Sequence, residues 1–132
     1  MVNELVSIIT PVYNNSEFIE QTIKSVQKQT YKNWEMIIVD DCSTDRTPEL
    51  IKKISQKDDR IKYIKLENNS GAAIARNKAL SESRGRFIAY LDADDLWKKN
   101  KIQNQIDFML AHDYAFVCSN YENFDVNDKI LK

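Results

Sequence analysis

The sequence predicts an α/β fold, a Rossmann-like, mostly parallel sheet with helices on both faces, and three observations carry that prediction. Short apolar runs rich in β-branched residues alternate with longer stretches whose apolar residues recur at helical spacing. The runs are apolar throughout rather than at every second position, as in strands buried on both sides. Polar and acidic residues gather after the runs, whereas the stretches before them ("NEL", "KNW", "DDR", "SRGR") share no theme, so the polar cluster belongs to one rim.

Each element has its own justification. "LVSIIT" (5–10) is short, apolar and β-branched, a buried strand. "SEFIEQTIKSVQKQ" (16–29) sets Ile19, Ile23 and Val26 at helical spacing, with Ser16 as cap and Glu17 and Glu20 near the positive helix start. "WEMIIVD" (34–40) is the second strand, and "TPELIKKISQ" (47–56) the second helix, with Thr47 as cap and Pro48 at the first helical position. "RIKYIKLE" (60–67) is the third strand. "GAAIARNKALSES" (71–83) is the third helix, which Gly85 is placed to terminate. "RFIAYLD" (86–92) is the fourth strand, followed by a helix over 100–111 with Ile102, Ile106, Met109 and Leu110 on one face. "YAFVCSN" (114–120) reads as a fifth strand, and the tail as a strand, a polar turn at Asn127-Asp128 and the start of another strand.

The chain has 132 residues, which suits one domain over 1–132 with a single substantial core. Lys plus Arg is 19 and Asp plus Glu is 20, a net charge of −1 that argues against a nucleic-acid or membrane-surface partner. The longest apolar runs are too short to span a bilayer, and "MVNELVSIIT" lacks the pattern of a signal peptide, so a cytoplasmic location is expected. Two cysteines and one histidine make no disulfide framework, zinc pattern or Ser-His-Asp triad. Cys118 is expected in the core and Cys42 in a loop. Any chemistry must therefore rely on carboxylates, amides, hydroxyls and backbone groups.

The rim offers such groups. "FIAYLDADDLW" ends an apolar strand on Asp92, Asp94 and Asp95, and at ~5 Å, with an effective dielectric of about 20, one such pair repels by roughly 3 kcal/mol. Solvation, capping of the next helix by Asp94 or Asp95, or a bound cation would each account for them. In an extended stretch residues two apart face one side, so Asp92 and Asp94 can reach a common point, a pairing that suits Mg²⁺ or Mn²⁺. Asp40 and Asp41 open "DDCSTDRT", where a carboxylate could accept from a base's ring N–H or from ribose hydroxyls, or could simply serve a tight turn, while Asp45 is expected to serve the turn or the helix entry. Tyr13 offers a flat face for a planar base, and Pro11 fixes the backbone beside it. Gly71 and the two alanines after it leave room for a close ligand. Arg76 could reach a phosphate or a base, or form a structural ion pair.

Four blocks, "VSIITPVYNN", "IIVDDCSTD", "NSGAAIARN" and "GRFIAYLDADD", in this order and spacing, strongly resemble the family 2 glycosyltransferases over roughly residues 5–120. The resemblance implies the GT-A nucleotide-diphospho-sugar transferase type of fold, a 3-2-1-4 order of the first four strands, and inverting transfer from a UDP-sugar with Mn²⁺ or Mg²⁺. It implies that Pro11, Val12 and Tyr13 border the base, that Asp41 binds the uracil edge with Arg76 nearby, and that Gly71 and Ala93 belong to the donor site. By the same resemblance Asp92 approaches the ribose or the metal, and Asp94 is the principal metal ligand. The acceptor would be a saccharide or a lipid-linked acceptor, reached at the inner face of a membrane through parts outside this sequence.

The chain departs from the family pattern in two ways. Lys99 stands where many members have proline, which bears on how the next helix starts. No residue matches the family's catalytic base, since Glu122, Asp125 and Asp128 lie too early, so the chain is expected to be the N-terminal, donor-binding part of a longer enzyme, with no catalytic residue to name. Two alternatives stay open: a module that binds nucleotide-sugar without transferring it, and a sugar nucleotidyltransferase. The second would need a Gly-rich, basic loop after the first strand, where this chain has "TPVYNNSEF".

Overall fold

A computed structural model describes residues 3–125 and 127. Its elements run β1 (Val6–Val12), α1 (Ile19–Gln27), β2 (Trp34–Asp40), α2 (Thr47–Ser55), β3 (Ile61–Lys65), α3 (Ala72–Ser81), β4 (Phe87–Tyr90) and α4 (Lys101–His112). The four strands form one parallel sheet in the order β3-β2-β1-β4, as expected. The chain builds outward from β1 to β3, then crosses back over the sheet to place β4 on the other side of β1. That reversal makes the carboxyl ends of β1 and β4 the place where such sheets bind ligands.

β1 and β2 are interior strands, and every residue of both is buried. One face packs Val6, Ile8 and Val12 with Met36 and Ile38 against Ile19, Ile23 and Val26 of α1, Ile51 of α2, and Ile102 and Ile106 of α4. The other face packs Ile9, Ile37 and Val39 against Ala75 and Ala79 of α3, where small side chains let helix and sheet approach closely. The two outer strands are not buried on both sides as the sequence suggested. β3 exposes Lys62 and Lys65, and β4 exposes Ile88 and Tyr90, because α3 lies over β1 and β2 rather than over β4.

Register opens the cleft. β1 pairs with β2 from Val6↔Trp34 to Val12↔Asp40, but with β4 only from Val6↔Phe87 to Ile9↔Tyr90. The C=O of Ile9 accepts from Leu91 N–H at 3.1 Å and that of Val12 from Asp41 N–H at 2.8 Å. Residues 9 and 11 therefore address the β4 side and residue 12 the β2 side. Pro11, which has no N–H, sits where the neighbouring strand has already ended, so no ladder bond is lost.

Several expectations are corrected. Ser16 does not cap α1; the helix starts at Ile19, and the Asn15 C=O receives the N–H groups of Phe18 and Ile19. Thr47 lies within α2 after an Arg46 cap, and its hydroxyl accepts from Asn15 N–H at 2.8 Å. Gly85 does not end α3, which is capped at Glu82. It is a close-approach glycine, since a Cβ there would lie 2.6 Å from the Ser7 nitrogen and 2.8 Å from the Leu5 oxygen. Leu110 is exposed, although Ile102 and Ile106 are buried as expected.

No strand forms over 114–120. α4 closes at Asp113 in the left-handed region (φ 54°), Tyr114 N–H returns to the Met109 C=O, and the Tyr114 ring stacks on His112. Apolar composition suggested a strand there, but a strand needs a neighbour for its N–H and C=O groups, and none pairs with this stretch among the described residues. Cys118 is accordingly exposed, not in the core. In the tail only Phe124 makes an isolated bridge and Asn127 lies in a turn; the expected strand after Asp128 falls outside the described residues.

Candidate functional site

The β1–β4 crevice opens into a cleft of about 220 Å³ lined by Pro11, Val12, Tyr13, Asn15, Asp41, Ala72, Arg76, Asp92, Ala93 and Asp94. Every site residue expected from the sequence lines it except Gly71, whose neighbour Ala72 does. Asn15 was missed, although it stands in the quoted block "TPVYNN"; a second asparagine in a loop gives no local sign of which one faces a cleft.

Four elements deliver these groups. The end of β1 supplies Pro11 and Val12, both buried, and the half-exposed ring of Tyr13. The following loop is locked to the one after β2: the Asn14 N–H donates to Ser43 Oγ at 2.9 Å, and Asn14 Oδ1 accepts from Thr44 N–H at 2.8 Å. Asn14 and Cys42 both take positive φ, at 47° and 69°. Asp45 accepts from the N–H groups of Thr47 and Ser16. Burial alone would raise its carboxyl, and these bonds outweigh that and lower it. It serves the turn, as expected.

Adjacent carboxylates divide at the end of β2. Asp40 is fully buried and accepts from Ser43 N–H (2.9 Å), Ser43 Oγ (2.6 Å) and the Tyr63 hydroxyl (2.7 Å). Burial, followed by this carboxylate, pushes the Tyr63 hydroxyl up. Asp41 instead faces the cleft, and its two oxygens receive Ser70 N–H at 2.6 Å and Gly71 N–H at 2.8 Å. Each carboxylate oxygen has a second lone pair, so Asp41 retains acceptor capacity toward the cleft. Gly71 is therefore required for a reason other than room. A Cβ there would meet nothing within 4 Å, but its φ of 96° and ψ of 160° belong to glycine.

After β4 the chain is not extended as the sequence suggested but turns at Ala93 and Asp94, with Asp95 N–H donating to the Asp92 C=O at 3.1 Å; exposure still alternates, Leu91 and Ala93 being buried and Asp92 and Asp94 exposed. The two carboxylates thus share the outward side, and neither Asp94 nor Asp95 caps α4, which starts at Lys101. Burial, then the charges of Asp94 and Asp92, raise the Asp95 carboxyl, so the expected mutual repulsion is present in its direction. Arg76 lies in the cleft and is also ion-paired, its guanidinium 3.0 Å from Asp92 Oδ1. The structural ion pair expected of that arginine is therefore present, and it is made within the cleft.

Among the described residues no cluster of three or more His, Cys, Asp or Glu side chains could enclose a metal. Asp92 and Asp94 fit a different kind of site, in which one or two carboxylates leave the other positions of Mg²⁺ or Mn²⁺ to water and phosphate oxygens. Among the described residues no helix is long and apolar enough to cross a membrane.

Comparison with known proteins gives concordant findings. The family described as Glycosyl transferase family 2 matches residues 7–131. The UDP-Glc:alpha-D-GlcNAc-diphosphoundecaprenol beta-1,3-glucosyltransferase WfgD of Escherichia coli is 46% identical over 132 residues, covering 100% of this chain and 51% of that protein. The crystal structure of S. aureus TarS 1-349 in complex with UDP-GlcNAc superposes with a TM-score of 0.77 at 34% identity, over 82% of this chain and 32% of that one. A mannosyltransferase from Pyrobaculum calidifontis in complex with GDP-Man and Mn²⁺ superposes with a TM-score of 0.74 at 28% identity, over 79% of this chain and 32% of that one. The chain spans about half the length of the curated relatives it matches.

Proposed function

The chain belongs to glycosyl transferase family 2, and we propose from this premise that its 132 residues are one donor-binding domain of an inverting glycosyltransferase that takes a UDP-sugar with Mn²⁺ or Mg²⁺. The observation that carries the reading is the cleft at the β1–β4 reversal, which gathers an aromatic ring, a buried acceptor carboxylate, a guanidinium and two outward carboxylates. Pro11, Val12 and Tyr13 form the wall for the base. Asp41, already oriented by the Ser70 and Gly71 amides, accepts from the uracil N–H. Arg76 exchanges its pairing with Asp92 for the diphosphate. Asp94 is the principal metal ligand, and Asp92 serves the ribose or the metal. When bound, the divalent cation would offset the charge that develops on the departing nucleoside diphosphate.

The relatives' names support a lipid-linked saccharide as the acceptor class, reached from the cytoplasm at the inner face of a membrane. The catalytic base is assigned to none of the residues in this cleft. Calorimetric titration with UDP, GDP and ADP, each with and without Mn²⁺, tests the reading. UDP should bind best, and only its complex should tighten strongly when Mn²⁺ is added. Equal affinity for all three nucleotides, or a UDP affinity indifferent to Mn²⁺, overturns it.

A further inference from the structure

We infer that Thr22, Ser25 and Gln29, three buried polar residues of α1 and its carboxyl end, are positioning residues for the loop that carries Asp92 and Asp94. The inference deepens the donor-site reading above and rests on it for its functional consequence. α1 turns Ile19, Ile23 and Val26 into the core, yet Thr22 and Gln29 are 0% exposed and Ser25 is 9% exposed. Polar groups are held in such a place at a cost unless they are hydrogen-bonded. Besides bonds within their own helix, all three reach one distant stretch of chain.

The Thr22 hydroxyl donates to the Ala93 C=O at 2.9 Å. The Ser25 hydroxyl donates to the Thr22 C=O at 2.7 Å and accepts from Trp97 N–H at 3.2 Å. The Gln29 side-chain amide donates to the Lys98 C=O at 2.8 Å and accepts from Ile102 N–H at 3.1 Å. The Thr30 N–H adds a bond to the Lys99 C=O at 2.9 Å. Residues 93–100 lie between β4 and α4 without strand or helix partners, and α1 supplies what a ladder would otherwise give their backbone.

The first of these bonds falls at the point that matters most. Ala93 sits between the two outward carboxylates, with its side chain buried at 4% exposure. Its C=O belongs to the peptide plane that leads into Asp94, so fixing that oxygen fixes the direction in which Asp94 leaves the backbone. Asp92 and Asp94 repel each other, and an unpinned loop would relax by letting them diverge. A hydroxyl held inside α1 prevents this from the far side of the backbone, without touching the ligand.

The test uses Thr22→Val, which keeps the shape and removes the donor, and Thr22→Ser, which keeps the donor. Amide hydrogen exchange of the metal-free chain is one readout; UDP affinity with and without Mn²⁺ is the other. Thr22→Val should exchange faster at the amides of residues 94–97, with the β2 amides unchanged. It should lose about tenfold or more of its Mn²⁺-dependent UDP affinity, as when a partner that orients a metal ligand is removed, and keep its Mn²⁺-free affinity. Thr22→Ser should restore both. Ser25→Ala repeats the experiment at a less buried position, should Thr22→Val fold poorly. Unchanged exchange at 94–97, or uniformly faster exchange with equal loss of both affinities, overturns the inference. Should the unaltered chain show no Mn²⁺-dependent UDP binding, the donor reading fails. The exchange data then still decide the positioning role, which stands if Thr22→Val loosens 94–97 alone and falls if it does not.

Discussion

Side by side in the sequence, Asp40 and Asp41 face opposite ways at the end of β2, Asp40 toward Ser43 and Tyr63 and Asp41 toward the cleft. Their partners are different in kind, and so are their expected mutants. Asp41→Asn replaces one acceptor oxygen by a donor facing an amide, so it should cost about 1–3 kcal/mol, read from urea unfolding, and should abolish any preference for UDP. Gly71→Ala forces an L residue into a φ, ψ region that is almost glycine's alone, at a cost of about 1–3 kcal/mol, although its side chain meets open space. Asp94→Ala should behave differently from both. The side chain is exposed, and its charge contributes to the raised Asp95 carboxyl, so the melting temperature should hold or rise while Mn²⁺-dependent UDP binding is lost. Unchanged Mn²⁺-dependent affinity in that variant would refute its assignment as metal ligand.

β4 is the short outer strand that carries the Asp92 loop, and how it docks on β1 decides where that loop lies. At its amino end Ser7 Oγ donates to Glu35 Oε1 at 2.6 Å and accepts from Gly85 N–H at 2.8 Å, while Arg84 meets Glu35 through its N–H (2.8 Å) and its guanidinium (2.9 Å). This clamp joins β1, β2 and the lead-in to β4. Gly85→Ala would push a methyl group into the Ser7 and Leu5 backbone, which cannot move without shifting β1. It should cost about 1–3 kcal/mol as overpacking does, and amide exchange along β4 should quicken more than along β3. Exchange that changes equally in both strands would show that the clamp does not act on β4. The 114–120 stretch makes the complementary point: its apolar residues had strand character, yet it docks on neither outer strand and stays irregular.

Acid should weaken the whole molecule, because its paired carboxylates are spread over several elements. Hydrogen bonds from Arg60, against the opposing effect of burial and helped by Gln27, hold the Asp58 carboxyl at about 2, below its ordinary 3.8. Burial would raise Glu35, but bonds from Ser7 and Arg84 bring it below its ordinary value. Both are lower in the folded state, so their stabilisation is present above their ordinary values and is lost as pH falls. For Asp58 the loss runs from about 3.8 down through about 2, and it amounts to about 2 kcal/mol. Asp95 has the opposite sign: its raised carboxyl favours the fold in acid, and that contribution is lost as pH rises through its folded value. Urea midpoints measured across this range should fall on acidification, and Asp58→Asn should flatten the fall while lowering the plateau above it. An unaltered pH profile in Asp58→Asn would remove Asp58 from this account.

Local spacing by itself determined the strand–helix alternation and the rim on which the polar residues collect, since each follows from the period of a strand or helix within a few residues. Asp92 and Asp94 share the outward side as expected, but through a turn at Ala93 and Asp94 rather than through the period of a strand. The 3-2-1-4 strand order was legible only through the resemblance of four sequence blocks to a family, because alternation alone is compatible with several orders. What the tertiary structure decided is which partner each polar group finds. Thr22 meets Ala93 across 71 positions, Asp41 meets Gly71 across 30, and Arg76 meets Asp92 across 16. The caps assigned to Ser16 and Thr47 and the strand assigned to 114–120 failed for the same cause. A hydrogen-bonding group is satisfied by whatever the crossovers bring within reach, and periodicity carries no record of that.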